Sequence, residues 1–441
     1  MVNRTFKIIR KEIKISQAAY SPGRSTTELV YTFRALIEQA VCAEDLNIHI
    51  LLLDMSRAFD TIDRGILLKD LKEVLEPDTL HLVSLLLTDV QLEVKHKGKI
   101  GDRFKPDIGS PQGDCASPIW FIFYLHKALQ NIKLASSRNI EIDLRHDHNY
   151  TKEDKHRITP KIQKSFIIDQ QYTDDTSWAT TNKDTIEEIK SKVPKILTEK
   201  NLIVNEDKTE EYTISRTTDT EWKKCKYLGS LLGNKEDITR RKQLACAAFN
   251  KNKKSLCSKD ISLQIRLRIF QALIAPVFLY NSEIWTFTKK EILKIDTFQR
   301  NLLRQVIRNR KIKNTKLYNI CQTKPWSLTI QERRLKWFGH LQRLPEDSPA
   351  RLAYKEVTTK PVKKHKGGQP LTWLKLIERD LNSIQLSIEK ASEIAQDRDK
   401  YHESIVVRVV DEAIAKISQA ESGKREDDDD DNVVEKDAYL I

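Results

Sequence analysis

An apolar run that ends on an acid constrains this chain more than any other feature. Ile48-His-Ile-Leu-Leu-Leu53 closes on Asp54, and a second strand-like stretch, Ser165-Phe-Ile-Ile-Asp-Gln-Gln-Tyr172, runs through Thr173 into Asp174-Asp175. Short runs of apolar and β-branched residues bounded by turn residues read as strands. Each carboxylate therefore stands at a strand end. A fold that brings those ends together makes an acidic cup for two divalent cations, the apparatus of nucleotidyl transfer.

Around these runs, helical and strand-like periods alternate up to about residue 232. Pro22-Gly23 marks a turn, and Ser25-Thr-Thr-Glu28 has the spacing of a capping box. Leu29, Phe33, Leu36, Ile37, Ala40 and Val41 then recur at helical intervals, which predicts a helix over 26–43. The strand at 47–54 is followed by a leucine-rich period that predicts helix over 65–90, and by a hairpin from Val90 to Lys105 turning at Lys97-Gly98. Gly109-Ser-Pro-Gln-Gly-Asp-Cys-Ala-Ser-Pro118 is a Gly/Pro loop feeding a helix over 117–133. Residues 136–163 form a polar excursion, whose Arg145-His-Asp-His148 cluster reads as solvated loop because no partner ligands follow at helical or hairpin spacing. The Asp-Asp segment predicts a hairpin with strand 165–172, turn 173–175 and return strand 176–180. A helix over 183–200, the stretch Leu202-Ile-Val-Asn205, a strand near 211–215 and a short strand at Lys226–Leu232 complete an α/β or α+β core. Beyond it, 236–345 is helical in period, 361–370 is a basic linker, 371–384 is a helix, and the chain from 421 is a disordered acidic tail.

Charge narrows the partner. The chain carries +13, but residues 421–441 hold nine acidic against three basic residues, a net −6 that leaves +19 on the preceding 420. So basic a body favours a polyanion such as nucleic acid. Six scattered cysteines without a CxxC pair argue against a zinc finger or a disulfide framework. No run reaches the ~18 apolar residues of a membrane span, so no membrane partner is expected and the protein reads as intracellular.

Phosphodiester synthesis needs a nucleophilic 3′-hydroxyl and a neutralised pyrophosphate, which two Mg²⁺ ions about 3.5–4 Å apart supply. Hard cations take oxygen ligands. Asp54 and Asp174 are the natural pair, with the Met55 carbonyl as an auxiliary and Asp175 as a third ligand or a group behind them. An Asp-Asp pair is common in turns; the strand-end Asp54 and the Gly-Pro loop between the two sites make the set specific.

The ordered motifs Asp54-Met-Ser-Arg-Ala-Phe59-Asp60, Pro111-Gln112-Gly113-Asp-Cys-Ala-Ser117-Pro118 and Tyr172-Thr-Asp174-Asp175 resemble the reverse transcriptases, and more narrowly those of non-LTR (LINE-type) retrotransposons. Gln17-Ala-Ala-Tyr-Ser-Pro-Gly23-Arg24-Ser25-Thr26 is similar to the segment before the family's palm, and Asn205-Glu-Asp-Lys208-Thr209 and Tyr227-Leu228-Gly229 to later palm motifs. Arg333-Arg-Leu-Lys-Trp337-Phe-Gly339-His340 and Gly367-Gly-Gln-Pro370-Leu-Thr-Trp373 resemble the region after the thumb, so the likeness covers about 15–385.

The resemblance implies a right-hand polymerase: an α+β palm of antiparallel strands backed by helices, with partial fingers, a helical thumb and a C-terminal helical extension. Its parts would be 1–46 (partial fingers), 47–232 (palm), 233–345 (thumb), 346–385 (basic linker and helix) and 386–441 (helical extension and acidic tail). It implies an RNA-directed DNA polymerase working with two Mg²⁺, or Mn²⁺, on an RNA template, a DNA primer and deoxynucleoside triphosphates, in the nucleus. Asp54, Asp174 and Asp175 would be catalytic and metal-holding. Phe59 would exclude a 2′-hydroxyl, Gln112 and Gly113 would line the nucleotide pocket, and Lys208 would stand near the triphosphate. Arg24 and Tyr227-Leu228-Gly229 would contact nucleic acid. The basic stretches Lys251–Lys254, Arg308–Lys313 and Lys363–Lys366 would meet phosphates, whereas Trp337 and Trp373 read as core.

Some positions depart from the family. Ala19-Tyr20 replaces Gly-Phe, Thr173 stands where alanine is commoner, and sixteen residues precede Gln17. The expectation is a 5′-truncated copy or partial gene model, with a catalytically inactive nucleic-acid-binding remnant as the alternative function. An RNA-dependent RNA polymerase is disfavoured by Phe59, and a group II intron maturase by the segment Arg333–His340. Oligomeric state is not legible.

Overall fold

The run predicted to end on Asp54 is an inner strand of a four-stranded antiparallel sheet. In the computed structural model the described residues are 2–88, 90–106, 108–110, 113–130, 132, 167–217, 220–359, 368 and 370–422. Two units emerge from the packing: Met1–Ile238 with Pro345–Pro370, and Thr239–Leu344 with Leu371–Ile441.

The first unit contains strands β1 (Ile48–Ser56), β2 (Lys95–His96), β3 (Lys99–Ile100), β4 (Ile167–Tyr172), β5 (Asp175–Thr180), β6 (Ile203–Ile214), β7 (Lys226–Tyr227) and β8 (Ser230–Leu231). Its helices are α1 (Val2–Glu12), α2 (Thr26–Cys42), α3 (Arg64–Lys72), α4 (Pro77–Thr88), α5 (Ser117–Leu129) and α6 (Lys183–Thr198). The sheet order is β4-β5-β1-β6. Side chains alternate across a strand, so Leu51, Leu53 and Met55 of β1 and Trp178 of β5 enter one core with α5 and with Ile186, Ile189 and Val193 of α6. The other sheet face, carrying Ile48, Ile50 and Leu52, is met by α2 and the helix Pro349–Thr359, which pack on each other. Asp54 belongs to this second face by the same period.

Several sequence expectations are corrected. The helix expected over 65–90 is two helices, because Pro77 cannot donate to a preceding turn and instead opens α4. The helix expected over 117–133 ends at Leu129. Ser25 is the N-cap of α2 but its side chain makes no capping bond. Glu28 turns away from it, is fully buried, and pairs with Arg24 at 2.6 Å. The separate stretches at 202–205 and 211–215 are one strand, β6, and the short strand at Lys226–Leu232 is the miniature hairpin β7-β8. The hairpin at 165–180 forms as expected from residue 167 onward.

The second unit is helical in its described residues, from the continuation of Asn234–Lys251 through Lys289–Ile307, Trp326–Arg343 and Trp373–Asn382 to Arg408–Ser422. Its core is aromatic: Phe278 stacks on Trp326 at 4.4 Å and meets Trp285 and Phe298 at 5.5 Å. Trp337 and Trp373 are buried, as expected of core residues. The six cysteines are free thiols. Among the described residues no helix is long and apolar enough to cross a membrane. Gln112, Arg145–His148, Lys363–Lys366, Gly367 and the acidic run 427–431 lie outside the described residues.

Candidate active site

The strand register joins the two acidic sites. In β1 and β5, Ile50 pairs with Ala179, Leu52 with Ser177 and Leu53 with Thr176, so Asp54 and Asp175 lie one step further at the same end. Paired residues share a face, which puts Asp175 on the face of Asp54, while Asp174 occupies the turn between β4 and β5. Two of the three carboxyls are shifted by their acidic neighbours. Desolvation, and then repulsion from Asp174 and Asp54, pushes Asp175 up to about 6, with Lys226 opposing. Asp175 is exposed, so water screens part of that shift. Desolvation and the Asp54 charge also raise Asp174, against the pull of its own backbone amide.

Lys208 reaches this end through an irregularity in β6. Leu52 pairs with Glu210 but Asp54 pairs with Asn205, so extra residues are pushed out of β6 between those points. Bulges re-aim side chains. Here Thr209 Oγ1 closes the bulge by donating to the Asn205 carbonyl at 2.8 Å, and Lys208 Nζ stands 3.5 Å from Asp54 Oδ2.

The loop after β1 is bolted to the Gly/Pro loop. Gly109 N donates to the Ile62 carbonyl at 2.8 Å and Ser110 N to the Phe59 carbonyl at 2.9 Å. Gly109 has φ +82° and comes so close that a Cβ there would lie 3.0 Å from the Asp60 carbonyl oxygen. Phe59 is half-buried, stacked on Phe121 of α5 at 4.5 Å. Gly113 has φ +92°, a conformation that favours glycine, and nothing stands within 4 Å of where a Cβ would be. Arg64, which the sequence reading passed over, holds this loop from beneath. Its buried guanidinium donates to the carbonyls of Gly109 (2.8 Å), Leu87 (2.6 Å) and Pro106 (2.8 Å). One arginine among 76 basic residues gave no signal of that role.

Two residues expected to contact nucleic acid are turned inward. The Arg24 guanidinium is engaged by buried Glu28, whose carboxyl is pushed up by burial against the pull of Arg24. Tyr227 is buried, its hydroxyl 2.9 Å from Ser177 Oγ and its ring 4.8 Å from Phe33. Burial raises its phenol. Neither side chain can both fill these places and grip a strand. What stays accessible beside Tyr227 is the turn of Leu228 (φ +44°) and Gly229 (φ +78°), the two-residue geometry of a tight hairpin.

Divalent cations fit this donor set in chemistry: the candidate ligands are all oxygens, and Asp54 Oδ2 is buried yet accepts no hydrogen bond. Among the described residues no three His, Cys, Asp or Glu side chains form a ready-made metal cage.

Residues 1–232, just over half of the chain, match the family model described as reverse transcriptase (RNA-dependent DNA polymerase). An uncharacterised transposon-derived protein of Caenorhabditis elegans is 25% identical over 175 residues, covering 37% of this chain and 62% of that protein. The chain thus spans less than two thirds of that relative. Among solved structures, Candida albicans telomerase in complex with the TWJ fragment of telomeric RNA aligns at 13% identity and TM-score 0.38, over 82% of this chain and 56% of its own. Apo telomerase of Candida tropicalis, truncated from its C-terminal domain, gives 16% identity and TM-score 0.36 over 53% and 43%.

Proposed function

The chain belongs to the reverse transcriptase (RNA-dependent DNA polymerase) family, and on that premise we propose that it adds deoxynucleotides to a DNA primer 3′-end on an RNA template, as the polymerase of a non-LTR (LINE-type) retrotransposon. The observation that carries the proposal is the meeting of Asp54, Asp174 and Asp175 at one end of one sheet, with Lys208 held over Asp54. The transposon-derived relative supports the element of origin.

In this reading the three aspartates hold two Mg²⁺ ions, or Mn²⁺. Bound there, the ions supply Lewis-acid activation of the primer hydroxyl and neutralisation of the leaving pyrophosphate. Lys208 adds positive charge at the triphosphate. Phe59, braced by Phe121, presents its free edge to the incoming sugar and excludes a 2′-hydroxyl. Gly113 lets the template–nucleotide pair approach the backbone, with Gln112 beside it. The Leu228-Gly229 turn grips the primer through its backbone, and Tyr227 anchors that turn from within. Arg24 shapes the entering segment rather than meeting phosphate. The hand is assigned as partial fingers 1–46, palm 47–232, thumb 233–345, linker and helix 346–385, and extension 386–441.

Primer extension on an RNA template with Mg²⁺ tests the reading. Asp174→Ala is expected to lower the rate about 10³-fold or more, the equivalent of the several kcal/mol that metal catalysis contributes. Equal incorporation by both proteins would sink it.

A further inference from the structure

Gln17 is 1% exposed, and its side chain binds both the amide and the carbonyl of Thr173, the first residue of the turn before Asp175. Its Oε1 accepts from Thr173 N at 3.1 Å and from Ala19 N at 3.0 Å, while Nε2 donates to the Thr173 carbonyl at 3.3 Å. The segment that carries Gln17 is fastened to β4 by Ala18 N to the Gln171 carbonyl and Gln171 N to the Ser16 carbonyl, both 2.9 Å. Gln17 therefore approaches the turn from a fixed platform.

The turn needs such a partner. Thr173 has φ +60° in a two-residue connection between Tyr172 and Asp175. Hairpins favour Gly, Asn or Asp at positions with positive φ, and a β-branched residue there is a genuine outlier that must be held in place by its surroundings. Asp174 is the next residue, so any relaxation of Thr173 swings its carboxylate. A side-chain amide offers a donor and an acceptor together, which match the carbonyl and amide of a single residue.

We propose that Gln17 is a positioning residue: its amide holds Thr173 in the left-handed conformation and thereby fixes the direction of the Asp174 carboxylate toward Asp54. The inference rests on the reading of Asp174 as a catalytic carboxylate, and Gln17 itself touches no substrate.

Two variants of the full chain test it. Gln17→Met keeps the length of the side chain without its hydrogen bonds, and Gln17→Glu keeps the accepting oxygen but loses the donor. Amide hydrogen exchange is read at Thr173–Asp175 against Trp178 and Leu51. Primer extension is read across a nucleotide titration and, at saturating nucleotide, across a Mg²⁺ titration. In Gln17→Met the Thr173 amide should exchange about tenfold faster or more while Trp178 and Leu51 are unchanged. The extension rate should fall about 10- to 100-fold, as small misplacements of reacting groups do, with a higher half-saturating Mg²⁺ and an unaltered nucleotide KM. Gln17→Glu should fall between, and decides the matter if Gln17→Met does not fold. Unchanged exchange at the turn, or protection lost evenly over β1, β4 and β5, would overturn the proposal, since the latter marks a general staple. If the unaltered chain extends no primer, the polymerase reading fails and the exchange data alone decide whether Gln17 holds the turn.

Discussion

In the helical unit, the buried carboxylate of Asp380 receives Arg334 Nε at 2.8 Å and Gln331 Nε2 at 2.8 Å, so burial, which pushes it up, is answered by charge and hydrogen bonds. In the sheet unit, Asp54 Oδ2 is buried without a hydrogen bond, Asp175 is raised by burial and by Asp174 and Asp54, and Asp174 is raised by burial and by Asp54. Both clusters sit on well-packed scaffolds. The difference lies in how each acid is answered: Arg334 and Gln331 hydrogen-bond the Asp380 carboxylate between two helices, whereas Asp54 Oδ2 faces only Lys208 Nζ at 3.5 Å and accepts no hydrogen bond.

The sharpest way to break this contrast is to delete one acid from each cluster. Asp380→Ala strands Arg334 in the core and should destabilise by about 3–5 kcal/mol, read by urea unfolding. Asp174→Asn removes repulsion instead and should leave stability unchanged or slightly higher. Comparable losses from both would erase the distinction.

A smaller effect concerns His126 on α5, which is 7% exposed. Burial, then Lys14 and Lys127, lower its pKa to about 4, with Asp169 pulling the other way. The unfolded chain, with an ordinary imidazole near 6.5, binds more protons between those values. Stability is therefore complete above about pH 6.5 and declines as pH falls toward 4, by up to about 3 kcal/mol. Melting curves of His126→Gln should lack that component; an identical acid limb would remove His126 as its source.

Smallest is a pair of helix caps. Thr288 Oγ1 accepts from Glu291 N at 3.3 Å, and Thr288 N donates to Glu291 Oε2 at 2.7 Å, a complete capping box. Ser25 has the same sequence spacing without the side-chain bond. Thr288→Ala should cost about 1 kcal/mol and Ser25→Ala less than about 0.5. Denaturation midpoints of the two variants check the order.

The Ser25 cap shows where sequence reasoning stops. Its spacing satisfied a local rule, but Arg24 offered Glu28 a better partner once both were buried. The break before Pro77 is written in that residue, although the leucine period runs across it. The strand β6 was read as two pieces, and the register shift against β1 lies within the gap left between them. That gap was the trace of a bulge, a two-strand property that a single strand cannot display. Arg64 left no trace at all and Gln17 showed only as the first residue of a family-like segment, since the reach of a polar side chain to a distant carbonyl or amide has no period of its own.

Phe59 and Gly113 stood out only through the family resemblance. Periodicity and residue chemistry were enough to mark Asp54, Asp174 and Asp175 as oxygens on or beside strands, although β1 runs two residues past Asp54 to Ser56, and to part a sheet-bearing half from a helical half. Those properties are local: alternation, turn residues and charge are written within a few positions of one another. The direction of Arg24 and Tyr227, the reach of Lys208 to Asp54 and the grip of Gln17 on Thr173 are long-range. They depend on which backbone groups burial leaves without water, and only the closed sheet and its packed helices determine that.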